Sequence, residues 1–449
     1  MNQLKQIHNQ LVVNGFNYQG KLIEGYSAVL DKNGVNHARL VFKHTSNPHL
    51  YVWNVMIRCL PPKEAIRVFA DGSKLSELVF DEFAYVYVLG ACARWVSKEA
   101  LFVGKQIHGK MFKVGFVSDV EMQTTGIYFY ASHGDCRSAR KVFDEMLERS
   151  SATWNAMISG YCSQKKRVDY FSHEALMLFC QLLRDSSDVK PTGTTMVCVL
   201  SACSRVGDLM TGSCVHGYIE KTMSMPLEDI YIGTCLVEMY SKCGCLNSAL
   251  SAFNWMKVKN ILTWTSMLTG LAIHGRGKEA LEKLDAMQAT NIKPNEITFT
   301  SLLFACCHAG LVEEGICLFH SMSSKFGLTP RIQHYGCIVD LLGRAGQLQE
   351  AYDFVNKMPI PPDAILWRSL LGACNIHGDV GMGEKVGRHL LVLQRERDKN
   401  ESEPKCEDFI ALSNVYASAE RWEELEIVRK MMRGKGIQII PGSSSVQLI

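Results

Sequence analysis

The chain has 449 residues, 47% of them hydrophobic and 21% charged, usage that excludes a disordered or fibrous protein. A formal net charge of +3, from 48 Lys and Arg against 45 Asp and Glu, excludes attraction of nucleic acid or membrane by the overall field. Any RNA contact must therefore be a local groove rather than a polybasic patch.

The chain opens on MNQLKQIHNQ, which reads as the inside of a helix and lacks the Arg- and Ser-rich pattern of a presequence. No run of about 18 uncharged apolar residues occurs, so no membrane span is expected. The 17 cysteines are odd in number and mostly sit in apolar runs such as Ser201-Ala202-Cys203, the pattern of reduced, buried thiols.

Along the chain three signatures recur, which makes internal repetition the first question. One is a Trp, a polar residue and an apolar run: Val52-Trp53-Asn54-Val55, Thr153-Trp154-Asn155-Ala156, Thr263-Trp264-Thr265-Ser266 and Leu366-Trp367-Arg368-Ser369. Another is an Ala-Cys ending: Ala91-Cys92, Ala202-Cys203, Ala305-Cys306 and Ala373-Cys374. The last joins a Tyr to a downstream Gly, as in Tyr130 with Gly134 and Tyr240 with Gly244. They recur in fixed order, so the period is a triplet of unequal units, roughly a hundred residues long.

The clearest unit spans Ile261 to Asn295. Trp264, Met267, Leu268 and Leu271 stripe one helix face; Gly275 and Gly277 break it; Ala280, Leu281, Leu284 and Met287 stripe a second helix before Pro294. A hairpin of this kind cannot cover its own apolar faces, so neighbours must stack. The expected fold is all-α, a right-handed superhelical solenoid of helix–turn–helix repeats with a long concave face.

These residues resemble the plant pentatricopeptide repeat family, in the class built of P-, L- and S-type triplets, and the likeness runs along essentially the whole chain. It implies S-type units at about 16–49, 120–150 and 230–260, P-type at 50–81, 151–192 and 261–295, and L-type at 82–119, 193–229 and 296–331. An L-type fragment with Leu4-Lys5-Gln6-Ile7-His8 precedes them, and 332–363 resembles the family's last variant S-type repeat. The resulting divisions are 1–49, partial repeats; 50–363, the RNA-binding array; and 364–449, resembling the family's E motifs, with a charged loop at about 394–407. Two departures, a short 50–81 unit after Leu60-Pro61-Pro62 and an insertion near Lys165-Lys166-Arg167-Val168-Asp169, are expected to disturb helix pairing.

In this family each hairpin reads one base with two or three side chains. Carried over by position, the implied pairs are Asn54 with Asp81, Thr124 with Ser150, Asn155 with Thr192, Thr234 with Asn260, and Thr265 with Asn295. An ionised Asp only accepts hydrogen bonds and suits uracil or guanine, whereas an Asn amide donates and accepts and suits adenine or cytosine. The implied preferences are uracil at 50–81, a purine at 120–150, a pyrimidine at 151–192, and adenine at 230–260 and 261–295. Val86 and Val197 occupy the reading position of two L-type units and are expected to be permissive.

Related proteins continue into a cytidine-deaminase-like domain with His-x-Glu and Cys-x-x-Cys zinc spacings. Neither spacing is found: His173-Glu174 is adjacent, and Cys243-Gly244-Cys245 is one residue short. The sequence thus implies no enzyme, no metal and no cofactor. His8, His108 and His216, which recur at one L-type position, and Trp53, Trp154, Trp264 and Trp367 are expected to be structural. The function implied is single-stranded RNA binding in a mitochondrion or plastid, as a C-to-U editing specificity factor recruiting a deaminase-bearing protein through residues 364–442. The alternatives are an RNA processing or stabilising factor, or a protein-binding helical scaffold without RNA.

Overall fold

The computed structural model describes residues 21, 23–25, 32–45, 47–75, 78–115, 119–185, 189–223, 229–398 and 406–434. The fragment around Leu4–His8, His8 itself and the end of the second E motif lie outside them. All regular structure among the described residues is helical. Two compact units, Met1–Met223 and Ser224–Ile449, are taken in turn.

In the first unit, α1 (Lys32–Lys43) precedes a series of hairpins. These are α2 (Leu50–Cys59) with α3 (Pro62–Gly72), α4 (Glu82–Arg94) with α5 (Lys98–Val114), and α6 (Val120–Ser132) with α7 (Cys136–Glu145). There follow α8 (Ser151–Cys162) with α9 (Val168–Arg184) and α10 (Gly193–Val206) with α11 (Leu209–Thr222). The second unit holds α12 (Ile230–Lys242) with α13 (Leu246–Trp255), α14 (Ile261–Ile273) with α15 (Gly277–Ala289), and α16 (Glu296–Ala309) with α17 (Val312–Ser324). It continues through α18 (Ile332–Arg344) with α19 (Leu348–Asn356), α20 (Ala364–His377) with α21 (Val380–Asp398), and α22 (Cys406–Ser418) with α23 (Trp422–Gly434).

Stacking follows from the apolar stripes. Within each unit the first helix of a hairpin packs on the first helix of the next: α2 on α4, α4 on α6, α6 on α8 and α8 on α10, then α12 on α14 and onward to α22. Small residues let these backbones approach. A Cβ on Gly160 would stand 2.6 Å from the Ala131 Cβ, one on Gly270 2.3 Å from the Ser241 hydroxyl, and one on Gly343 2.8 Å from the Ala373 Cβ. Between several hairpins, an aromatic edge-to-face pair joins the second helix to the next first helix. Phe143 meets Trp154 and Phe253 meets Trp264, each at 4.9 Å and 77°, and Phe42 meets Trp53 at 4.9 Å and 86°. All four repeat tryptophans are buried, as expected of core.

The two departures do not prevent pairing. At 50–81, Pro61 caps α3 and Pro62 takes its first turn, where a missing N–H costs nothing, so α2 and α3 pack together. At 151–192 the added residues form a turn, with Arg167 at φ 51°, and lengthen α9 to 17 residues. The charged stretch Gln394–Glu407, expected as a loop, is helical at both ends: α21 runs to Asp398 and α22 starts at Cys406. Its Arg and Glu residues are good helix formers, and only 399–405 lie outside the described residues.

Burial governs the thiols. It pushes Cys92, Cys162, Cys306 and Cys374 up to about 12, so they are protonated at neutral pH, while Cys180, Cys214 and Cys317 are exposed. Brief maleimide labelling of the native protein at pH 7.5 (~pH of ordinary buffers) is expected to modify the exposed three and spare the buried four. Mass spectrometry of the digested protein reads the outcome.

Candidate nucleic-acid interface

The first helices carry the candidate residues. In the five that hold the second member of a predicted pair, a polar residue stands at the N-cap and its oxygen accepts from a backbone N–H in the first turn, satisfying one of the helix's orphan donors. Asp81 caps α4, Ser150 caps α8, Thr192 caps α10, Asn260 caps α14 and Asn295 caps α16. The other member of each predicted pair lies five residues after the cap of the preceding first helix. The structure brings every predicted pair together.

Two pairs touch directly. Asn54 Nδ2 donates to both carboxylate oxygens of Asp81, at 2.9 and 3.0 Å, and Asn155 Nδ2 donates to Thr192 Oγ1 at 2.9 Å. The others meet through a threonine three residues after the cap. Thr124 and Thr153 hydroxyls are 2.7 Å apart, and Thr153 closes a capping box with Ser150. Thr234 and Thr263 are also 2.7 Å apart, and Thr263 Oγ1 donates to Asn260 Oδ1 at 3.1 Å. At the next step Thr265 lies 3.4 Å from Thr298, which donates to Asn295 Oδ1 at 3.0 Å. This bridging threonine was missed in the sequence, although its signal was there: Ser150-x-x-Thr153, Thr192-x-x-Thr195, Asn260-x-x-Thr263 and Asn295-x-x-Thr298 are capping patterns.

Capping also fixes what each pair shows outward. Asn260 and Asn295, both half-buried, aim Oδ1 at two donors each, a backbone N–H and a threonine hydroxyl, which sets the amide orientation and leaves Nδ2 outside the cap. Beside it, Thr234 gives its proton to Thr263, and Thr265 gives its own to the Ile261 carbonyl at 2.8 Å. Each threonine thus keeps lone pairs unused by these bonds, on side chains only 4% and 8% exposed. The step presents a donor next to an acceptor. Asp81 presents acceptors only. Asn155 differs, because Thr195 Oγ1 also donates to its Oδ1 at 2.6 Å, so both ends of that amide are occupied.

Residues 259–308 match the PPR repeat family, residues 127–151, 152–166, 297–325 and 334–359 match the PPR repeat, and residues 377–447 match the E motif. A pentatricopeptide repeat-containing protein of Arabidopsis thaliana is 53% identical over 451 residues, covering 99% of this chain and 95% of the relative. The chain belongs to the pentatricopeptide repeat family. With its E motif, this pentatricopeptide repeat protein falls in the plant E subgroup. Another Arabidopsis thaliana relative, named as chloroplastic/mitochondrial, is 36% identical over 462 residues, covering all of this chain and 70% of its own. Among solved structures, the maize pentatricopeptide repeat protein PPR10, in complex with an 18-nt psaJ RNA element, superposes with a TM-score of 0.75 at 17% identity. The match covers 93% of this chain and 60% of that one, and establishes the fold as an α-hairpin solenoid.

Other positions of the pentatricopeptide array were not singled out in the sequence. Tyr51, Tyr231, Leu262, Ile297 and Ile365 stand two residues after their caps and are 52% to 72% exposed. They lie three residues before the position of the pair, hence on the same helix face. Thr300 and Arg331 occupy the pair positions of the 296–331 unit, where Thr300 donates to the Glu296 carbonyl and Arg331 pairs with the Glu296 carboxylate at 2.8 Å. In α20, ahead of the E-motif match, the same ladder position is Arg368, bound by the carboxylates of Asp408, 2% exposed, and of Glu407, at 2.7 Å. That step is closed by an internal ion pair.

The recurring histidines are accounted for by packing. Burial holds the imidazoles of His108 and His216 below their usual value; His108 lies 3.1 Å from the Tyr130 hydroxyl, and His216 3.4 Å from Glu220. Among the described residues no group of His, Cys, Asp and Glu is placed to hold a metal, and no helix is long and apolar enough to cross a membrane.

Proposed function

We propose that this pentatricopeptide repeat protein binds single-stranded RNA sequence-specifically in a mitochondrion or plastid and directs C-to-U editing there. The observation that carries the reading is the meeting of helix-face side chains with the next N-cap or its threonine, repeated at several hairpins with different polar residues. A scaffold for proteins has no need of such a ladder. An Nδ2 donor beside a threonine acceptor matches the ring nitrogen and exocyclic amine of adenine, and also of cytosine, while it opposes the N1–H of guanine. The acceptors of Asp81 match the N3–H of uracil. Exposed Tyr231, Leu262 and Ile297 give each base an apolar surface to lie against.

The solved relative holds an RNA element, and relatives are named chloroplastic or mitochondrial, which supports the RNA and organellar parts. The E motif supports editing: residues 364–442 would recruit a deaminase-bearing protein in trans, and this chain supplies binding rather than catalysis. Binding to single-stranded RNA is expected to weaken with salt through counterion release. A plant lacking the protein is expected to retain at least one unconverted cytidine in an organellar transcript. A shortened transcript with complete conversion would instead indicate protection or processing, and no salt-sensitive RNA binding would indicate a protein scaffold.

A further inference from the structure

The insertion at 163–169 borders a cleft of about 790 Å³ between the C-terminal ends of α6 and α8, lined among others by Tyr128, Ser159, Gln164, Lys165 and Lys166. Tyr128 and Ser159 follow Thr124 and Asn155 by four residues, so the cleft continues the face that carries the pairs, one helical turn along. The inserted turn is anchored. Gln164 Nε2 donates to the Gly160 carbonyl at 2.8 Å and to the Ala131 carbonyl of the neighbouring hairpin at 3.2 Å. From this anchor Lys165 and Lys166 project exposed, and among the described residues neither forms an ion pair. The same unit is the one whose Asn155 is occupied at both ends by Thr192 and Thr195.

We infer that the insertion makes this hairpin a phosphate-binding step, in which Lys165 and Lys166 hold the phosphodiester backbone of an RNA strand lying in the cleft. The inference rests on the RNA-binding reading and adds a site to it. Two unpaired ammonium groups on a pinned turn, at the rim of a cleft on the pair face, attract an anion at little cost in loop ordering. Charge takes over where the reading side chain is internally satisfied, so this step contributes affinity with little base preference.

The test compares the wild-type full chain with K165A/K166A and with K113A, a control at an exposed lysine of α5, using the RNA enriched by the wild type from a randomised pool. Binding is measured across a salt series. Each single-strand phosphate contact contributes about 0.7 to the slope of log K against log salt, so the double variant is expected to lose about 1.4. Between about 50 and 200 mM salt, the range over which such slopes are compared, its affinity should fall about seven-fold less than that of the wild type. The selected base profile and the melting temperature should stay unchanged, and K113A should match the wild type. An unaltered slope with intact RNA binding overturns this inference alone. Absence of RNA binding by the wild type overturns the functional reading as well.

Discussion

Trp264→Ala is expected to destabilise the second unit by about 3–5 kcal/mol, the range for removing a large buried aromatic. Trp264 is 4% exposed and its ring meets Phe253 edge to face, so truncation opens a void where one hairpin stacks on the next. In a solenoid the neighbour interface is most of what holds a repeat, so the loss should spread to α13 and α15 before distant hairpins. Trp255, nine residues earlier in the sequence and 65% exposed, provides the contrast: Trp255→Ala should change stability by under about 0.5 kcal/mol. Urea unfolding followed by hydrogen exchange of the two variants separates these outcomes. Equal effects would mean that the tryptophan row is not the interface described above.

Asp408→Ala should have an effect of similar size for a different reason. It leaves the Arg368 guanidinium, 22% exposed, without its most buried partner, and breaking such a pair from one side costs about 3–5 kcal/mol. Replacing both partners with apolar residues of similar volume, Arg368→Met with Asp408→Leu, should recover most of the loss, because no uncompensated charge remains. Glu407→Gln touches the exposed carboxylate and should matter little. Thermal unfolding of the single and double variants measures the coupling. If the single variant is neutral, the ion pair does not close the joint between α20 and α22.

Much of this was legible in the sequence because it is local and periodic. The stripe Trp264, Met267, Leu268 and Leu271, the breakers Gly275 and Gly277, and the terminal Lys293-Pro294-Asn295 specify a hairpin without reference to the rest of the chain. Thr265 and Asn295 could be paired because the family resemblance assigns those two positions within a repeat. The parts that were missed depend on contacts between hairpins. Arg368 and Asp408 are forty residues apart (|i−j| = 40), and neither carries a sign of the other. The helical end of the Gln394–Asp398 stretch was hidden by its charge, which reads as solvated whether the backbone is coil or exposed helix. At 50–81 and 151–192 the irregular length suggested disrupted pairing, but Pro62 at a helix start and Gln164 at a turn accommodate it. The orientation of Asn260, with its carbonyl in the cap, follows from Thr263, whose capping pattern stands in the sequence but whose contact with Thr234 belongs to the assembled hairpins.

Under the proposed function, the polar atoms that the cap pairs leave unbonded choose the base. This is tested most directly by binding selection from a randomised RNA pool with the wild type and with Asn260→Asp/Asn295→Asp. The aspartates keep an oxygen for each cap, so the helices should stand, but each exchanges an outward donor for an acceptor. The wild type is expected to enrich adenine at two adjacent positions and the variant guanine at the same two, with discrimination of about 1–3 kcal/mol per step. An unchanged profile from a folded variant that still binds RNA would contradict it.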